Sequence, residues 1–202
     1  MKTLVIVDLQ KDFCYRTGSL YVEGAEILPS RISRRIKDGG FDNIIITLDS
    51  HPLNHCSFIE NGGQWPTHCV KGSDGASIPQ RIFDVISNLD YKPYIVVVEK
   101  GCDSNKEEYG AFTGYNRFNN PFKYFFSNCA DKDVYDMLKE SDDIEVCGIA
   151  LNYCVMNTVN ELIKFVENDK VWVNTYNTKA IGDGEEFYEF AKKNDIYHTE
   201  VK

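Results

Sequence analysis

Short, strongly apolar, β-branched runs recur along this 202-residue chain, each separated from the next by a helix-like segment, and that alternation limits the folds open to it. The runs cover residues 3–8, 43–49, 94–99, 144–149, 171–176 and, more weakly, 196–201. None alternates apolar with polar residues as a strand with one wet face would, so each is expected to be buried on both faces. Between them, residues 27–39 place Ile27, Leu28, Ile32 and Ile36 at helical spacing and stop at Gly39-Gly40. Residues 77–89 carry Ile78, Ile82, Val85, Ile86 and Leu89, and residues 153–166 carry the clearest 3.6-residue stripe: Val155, Val159, Leu162, Ile163 and Val166. The pattern predicts an α/β fold: a single doubly wound domain over residues 1–202, with a mostly parallel six-stranded sheet, helices on both faces and right-handed crossovers.

Composition narrows what such a domain does. Apolar residues make up 43% of the chain, enough for one sizeable core, and no repeat or Pro/Gly/Ser linker marks a boundary. A formal net charge of -9 argues against a nucleic-acid or anionic-membrane partner, since phosphate surfaces are held by clustered Lys and Arg. The one basic cluster, Arg31, Arg34 and Arg35, reads as the solvated face of a short helix. Met1-Lys2-Thr3 runs straight into Leu4–Val7, a strand's length of apolar residues rather than a leader or a membrane span, so a cytoplasmic protein is expected. The seven cysteines are odd in number and lack CxxC spacing, so most are expected to be reduced, buried and inert.

Two segments resist the strand and helix scheme. Residues 50–76 and 101–129 are rich in Gly, Asn and aromatics, and each follows a strand. Long irregular loops in a compact domain usually carry function. In open parallel sheets ligands bind beyond the carboxyl ends of the strands, which is where Asp8, Asp49, Lys100 and the 148–154 turn fall on this reading.

The chemistry gathers at those ends. Three of the four histidines, His51, His55 and His68, lie within residues 51–68. Asp49 and His51, two apart on an extended strand end, point to the same side, and His68 returns from the loop. Such a set suits one divalent metal ion, zinc first and iron or manganese equally compatible with the ligands, with His55 and Glu60 as further candidate ligands. The plain alternative is a hydrogen-bonded polar loop. Cys154 stands near the first turn of a helix, with Asn152 as a reasonable N-cap; free amides and the helix dipole there favour thiolate and offer donors to an oxyanion. Asp8 is a lone carboxylate placed to exchange a proton with that thiol, and Lys100 can hold the carboxylate charged or steady an anionic intermediate. Phe13 and Trp65, on neighbouring loops, can flank a flat ring.

These residues together resemble the isochorismatase-like cysteine hydrolases. The likeness is carried by Val7-Asp8-Leu9-Gln10-Lys11-Asp12-Phe13, by Glu99-Lys100-Gly101 and by Gly148-Ile149-Ala150-Leu151-Asn152-Tyr153-Cys154-Val155, in that order over most of the chain. Asp49-Ser50-His51-Pro52 and Trp65-Pro66-Thr67-His68-Cys69-Val70 are similar to the metal segment of the branch that deamidates nicotinamide. The resemblance implies catalysis by Asp8, Lys100 and Cys154, a metal on Asp49, His51 and His68, and Phe13 and Trp65 against the pyridine ring. It also implies a cis peptide before Ala150 that turns the Ala150 and Cys154 amides into an oxyanion hole. The implied reaction converts nicotinamide, a small-molecule substrate, to nicotinate and ammonia through a thioester, as a step of NAD salvage; a homo-oligomer is compatible with it. The chain departs from the family's usual pattern at Lys11, where Asn is common, at Leu151-Asn152 in place of Thr-Asp, at Gly110 in place of Ser, and over residues 174–181. Two other readings stay open: an amidase acting on another small carboxamide, and a non-catalytic protein in which the metal only ties down the 50–76 loop.

Overall fold

In the computed structural model, residues 1–112 and 134–199 are described. Cys129, the 113–129 part of the second loop and the far end of the sixth run lie outside the described residues.

The apolar runs form β1 (Lys2–Val7), β2 (Asn43–Asp49), β3 (Tyr94–Lys100), β4 (Asp143–Ile149), β5 (Val171–Lys179) and the short β6 (Tyr197–His198). They make one sheet in the order β3-β2-β1-β4-β5-β6, and every strand pairing among the described residues is parallel, so the expectation of a mostly parallel sheet is met in full. Successive side chains on a strand face opposite ways, and the two cores follow that parity. Leu4, Ile6, Ile44, Ile46, Ile95 and Val97 pack on one side with Leu28, Ile32, Ile36, Ile82 and Ile86. Val5, Val7, Ile45, Val96, Val98 and Val146 pack on the other with Met137, Leu138, Val159, Leu162 and Phe187. Helices therefore cover both faces, as runs without polar alternation require.

The helices are α1 (Lys11–Cys14), α2 (Leu28–Gly39), α3 (Gln80–Ser87), α4 (Val134–Lys139), α5 (Met156–Leu162) and α6 (Glu185–Asn194). α2 matches its stripe except that Ile27 is exposed; Gly40, at φ 59°, ends it in the left-handed cap a glycine suits. α3 starts three residues later than the periodicity suggests, because Pro79 has no N–H to give and holds Ile78 out of helical geometry. The stripe expected over residues 153–166 is divided: Leu151–Val155 form one π-helical turn before α5, which ends at Leu162.

Arg35 corrects the reading of a solvated basic face. Its guanidinium donates to the fully buried Glu145 on β4 at 2.5 to 2.9 Å, and Asn174 donates to the same carboxylate at 2.6 Å. Arg31 stacks on the Tyr176 ring at 3.8 Å. Of the described cysteines, Cys14, Cys69, Cys147 and Cys154 are buried and all are free thiols, with Cys14 pushed by burial up to about 12. Cys56 and Cys102 are only half-buried. No helix among the described residues is long and apolar enough to cross a membrane.

Candidate active site

The strand order reverses direction at β1 and β4, and the crevice beyond their carboxyl ends collects the polar residues. Asp8 follows the last residue of β1 with φ 47°, a left-handed conformation that costs a non-glycine residue about 1–3 kcal/mol and clusters at functional sites. Neighbouring β2 fixes it: the Asp8 N–H donates to the Thr47 carbonyl at 3.1 Å, and the Thr47 hydroxyl donates to Asp8 Oδ1 at 2.7 Å. Asp49 and Lys100 are register partners at the ends of β2 and β3, so their side chains leave the sheet together. The Gln10 amide clamps this end of β2, accepting from the Asp49 N–H and donating to the Asp49 carbonyl, both at 2.8 Å.

Lys100 joins these groups. Its buried ammonium lies 2.9 Å from Asp8 Oδ2, hydrogen-bonds Asp49 Oδ1, donates to the Glu108 carbonyl at 3.2 Å and reaches Cys154 Sγ at 3.5 Å. Asp8 Oδ2 receives no well-aligned hydrogen bond from the described residues, which leaves it a lone pair for a proton. Asp8, Lys100 and Cys154, proposed from three separate strand ends, are thus one contact group. Asp8, Asp49 and Cys154 are close enough together to hold a metal ion themselves, but the Lys100 ammonium already stands among them as the cation.

Burial sets the electrostatics. It pushes the Asp8 carboxyl up, with Lys100 opposing the rise and Asp49 adding to it. For Asp49 burial also works against the charge, but Lys100, His51 and His68 outweigh it and hold the carboxyl well below the usual range. Burial alone would lower Lys100; the two carboxylates instead keep it protonated, well above its ordinary value. Burial drives the Cys154 thiol well up, with Lys100 opposing and Asp8 and Asp49 reinforcing the rise. This corrects the expectation of a thiolate favoured by a helix start. The turn is a single π turn, and the thiol sits enclosed beside two carboxylates. Asn152 does not cap it either: its amide exchanges hydrogen bonds with the Ile181 backbone, donating at 3.0 Å and accepting at 3.1 Å. The peptide Ile149–Ala150 is cis, as the resemblance implies.

The 50–76 loop is closed by its own backbone. The His51 N–H donates to the Cys69 carbonyl and Lys71 N–H to the His51 carbonyl, at 3.1 and 2.9 Å, and the buried Asp12 carboxylate accepts from the Cys69 N–H at 2.7 Å. These contacts return His68 to His51. Nε2 of His51 and Nε2 of His68 lie 3.6 and 3.8 Å from Asp49 Oδ2. Each ring's Nδ1 meets a backbone carbonyl, Gly101 at 2.9 Å and Pro66 at 2.7 Å, so Nδ1 carries the proton and Nε2 presents its lone pair to the same point as Asp49 Oδ2. Two imidazole nitrogens and one anionic oxygen, all oriented by second contacts, fit a divalent metal ion. Phe58 edges both rings at 5.5 Å, and Phe13 packs on His68.

The further ligand candidates separate. His55 stacks on His51 at 4.0 Å, but its two nitrogens meet Ser57 Oγ and the Lys106 carbonyl. Glu60 is exposed and accepts from Thr67 at 3.0 Å, away from the metal donors. Gly101 holds one carbonyl that orients the site: at φ 62° it is strained for any side chain, and a Cβ there would stand 2.4 Å from the His51 ring. Gly101→Ala is expected to displace that imidazole, costing about 1–2 kcal/mol from the backbone conformation alone, and to weaken metal binding; urea unfolding and metal titration measure both.

A cavity meets the polar group and the donor set together. Phe13 and Trp65 line it with Asp49, His68, Ala150 and Cys154. Sequence reasoning missed Tyr109 and Tyr153, which complete its aromatic wall. Trp65 edges Tyr153 at 5.2 Å and donates to the Tyr109 hydroxyl at 3.0 Å. Tyr153 adjoins the nucleophile in sequence, and Tyr109 adjoins Gly110, where the chain departs from the family's usual pattern; each was a usable signal. A wider outer cleft of about 580 Å³ shares Leu20, Val22, Trp65 and Ile181 with this cavity.

A doubly wound domain with a thiol, a carboxylate and an ammonium at adjoining strand ends, next to a metal donor set, defines a metal-dependent cysteine hydrolase. No protein-family profile matches the chain. The nicotinamidase of Saccharomyces cerevisiae is 31% identical over 184 residues, covering 78% of this chain and 79% of that protein. The yeast nicotinamidase bound to the inhibitor nicotinaldehyde superposes with a TM-score of 0.77 at 26% identity, over all of both chains. The pyrazinamidase of Pyrococcus horikoshii in complex with zinc gives 0.73 at 29% identity, over 99% of each. The chain belongs to the nicotinamidase family.

Proposed function

We propose that the protein hydrolyses nicotinamide to nicotinate and ammonia through a thioester on Cys154. The observation that carries the reading is the Lys100 ammonium, which touches Asp8, Asp49 and Cys154 at once and so ties a nucleophile and its base to the metal donors. Asp8, with its carboxyl raised by burial, takes the thiol proton as Sγ bonds to the carboxamide carbon. Lys100 stabilises the charge that passes to sulfur, which supports forming the thiolate only as it attacks. The Ala150 and Cys154 amides receive the oxyanion. Asp8 returns its proton to the nitrogen, the C–N bond breaks and ammonia leaves. Asp8 then takes a proton from water as the water attacks the thioester; the C–S bond breaks, nicotinate is released and the proton goes back to sulfur.

Asp49, His51 and His68 hold the metal in this reading, zinc first, and the bound ion supplies an electrophilic anchor for the pyridine nitrogen. Phe13, Trp65, Tyr109 and Tyr153 enclose the ring and exclude water. That the yeast relative takes nicotinaldehyde as an inhibitor supports an aromatic pyridine pocket facing a nucleophile. On this reading the enzyme acts on a small, diffusible substrate, and we assign it to the cytoplasm. Ammonia release from nicotinamide tests the reading. The metal-loaded protein is expected to turn over, and removal of the metal by chelation to abolish activity until it is restored; no ammonia from the metal-loaded protein would refute the substrate.

A further inference from the structure

The segment after β3 turns at Gly101 and packs along the 50–57 loop, held by the Cys56 N–H donating to the Ser104 carbonyl at 2.7 Å. Two side chains of the site pin its backbone on either side of residue 107. The Lys106 carbonyl meets His55 Nε2 at 3.1 Å, and the Glu108 carbonyl accepts from the Lys100 ammonium at 3.2 Å. The side chains at 106 and 108 pair with each other at 2.7 Å, which leaves Glu107 between them without a lysine partner among the described residues. Its half-buried carboxylate lines the same cavity as Asp49 and His68 and lies within 4.8 Å of ring nitrogens of both His51 and His55. One carboxylate oxygen accepts from the Glu108 N–H at 3.1 Å; the other takes no hydrogen bond from the described residues.

We propose that Glu107 is a further ligand of the metal held by Asp49, His51 and His68. The inference rests on the metal reading given above and assigns to this chain an oxygen donor from the β3 side of the site. The sequence candidates were His55, whose nitrogens are engaged, and Glu60, which is drawn away to Thr67. A second carboxylate makes the donors two nitrogens and two oxygens and adds a negative charge to the set. Such a set holds hard divalent ions more firmly than two imidazoles and one carboxylate do.

Metal affinity, read by competition between the protein and a chromophoric chelator for zinc alone, tests this without reference to turnover. Glu107→Gln keeps the shape of the side chain and removes its charge. It is expected to raise the zinc dissociation constant by about 10- to 100-fold, while Glu60→Gln leaves it as in the wild type and the metal-free Glu107→Gln protein melts like the metal-free wild type. A Glu107→Gln protein that binds zinc as the wild type does, alongside a His68→Ala protein that does not, overturns the role of Glu107 and leaves the metal site standing. Wild-type affinity in His68→Ala as well overturns the site on which the proposal rests.

Discussion

Cys154→Ala is expected to lose amide hydrolysis by on the order of 10⁴-fold or more, because no other group can form the thioester and the remaining site can only bind and polarise the substrate. Metal affinity should stay at the wild-type level, since Sγ faces Lys100 and Asp8 rather than the histidines. That pairing of results separates the proposed mechanism from one in which the metal alone hydrolyses the amide and the thiol only fills space. The latter predicts an active alanine variant. Cys154→Ser should rescue little, because a hydroxyl holds its proton far more tightly than a thiol and Asp8 is poised for the weaker base. Ammonia release under single-turnover conditions, with zinc titration of the same preparations, decides between the two.

The parts of the site legible in the sequence are those fixed by position along one strand. Asp49 and His51 share a side because a strand repeats every two residues, and Asp8, Lys100 and Cys154 announce themselves as charges or a thiol at the ends of apolar runs. The doubly wound architecture was legible for the same reason, since runs apolar at every position need cover on both faces. What could not be read depends on pairing between strands. Thr47 steadies Asp8 only because β2 lies beside β1 in that register, and Tyr109 meets Trp65 across two loops of unrelated sequence. Arg35 looks like a solvated helix charge until β4 brings Glu145 beneath it. The π turn at Leu151–Val155 hid inside a helical stripe, because Val155 and Val159 keep their spacing when the turn before them is widened. The thiol's environment was misjudged with it, since a dipole argument built on an α-helix start takes no account of burial beside two carboxylates.

Lys100→Met should damage the protein more broadly than any other change at the site. The methionine fills much the same volume, so the loss is electrostatic: Asp8 and Asp49, both buried, are left without the cation that lies between them. Removing one partner of a buried ion pair costs about 3–5 kcal/mol, because the remaining charge is neither solvated nor compensated. Burial then pushes both carboxyls up against weaker opposition, from the Thr47 hydroxyl at Asp8 and from His51 and His68 at Asp49, where Lys100 now restrains Asp8 and holds Asp49 low. A carboxyl raised in the folded state lowers stability as pH rises through its unfolded value, when the unfolded chain releases the proton and the folded one retains it. The variant's deficit relative to wild type should therefore be largest near neutral pH and shrink as pH falls into the ordinary carboxylate range. Urea unfolding of both proteins across that interval, without added metal, measures it. A constant deficit would mean that methionine merely packs badly; a deficit that closes in acid ties the fold's stability to the same cation that carries the chemistry.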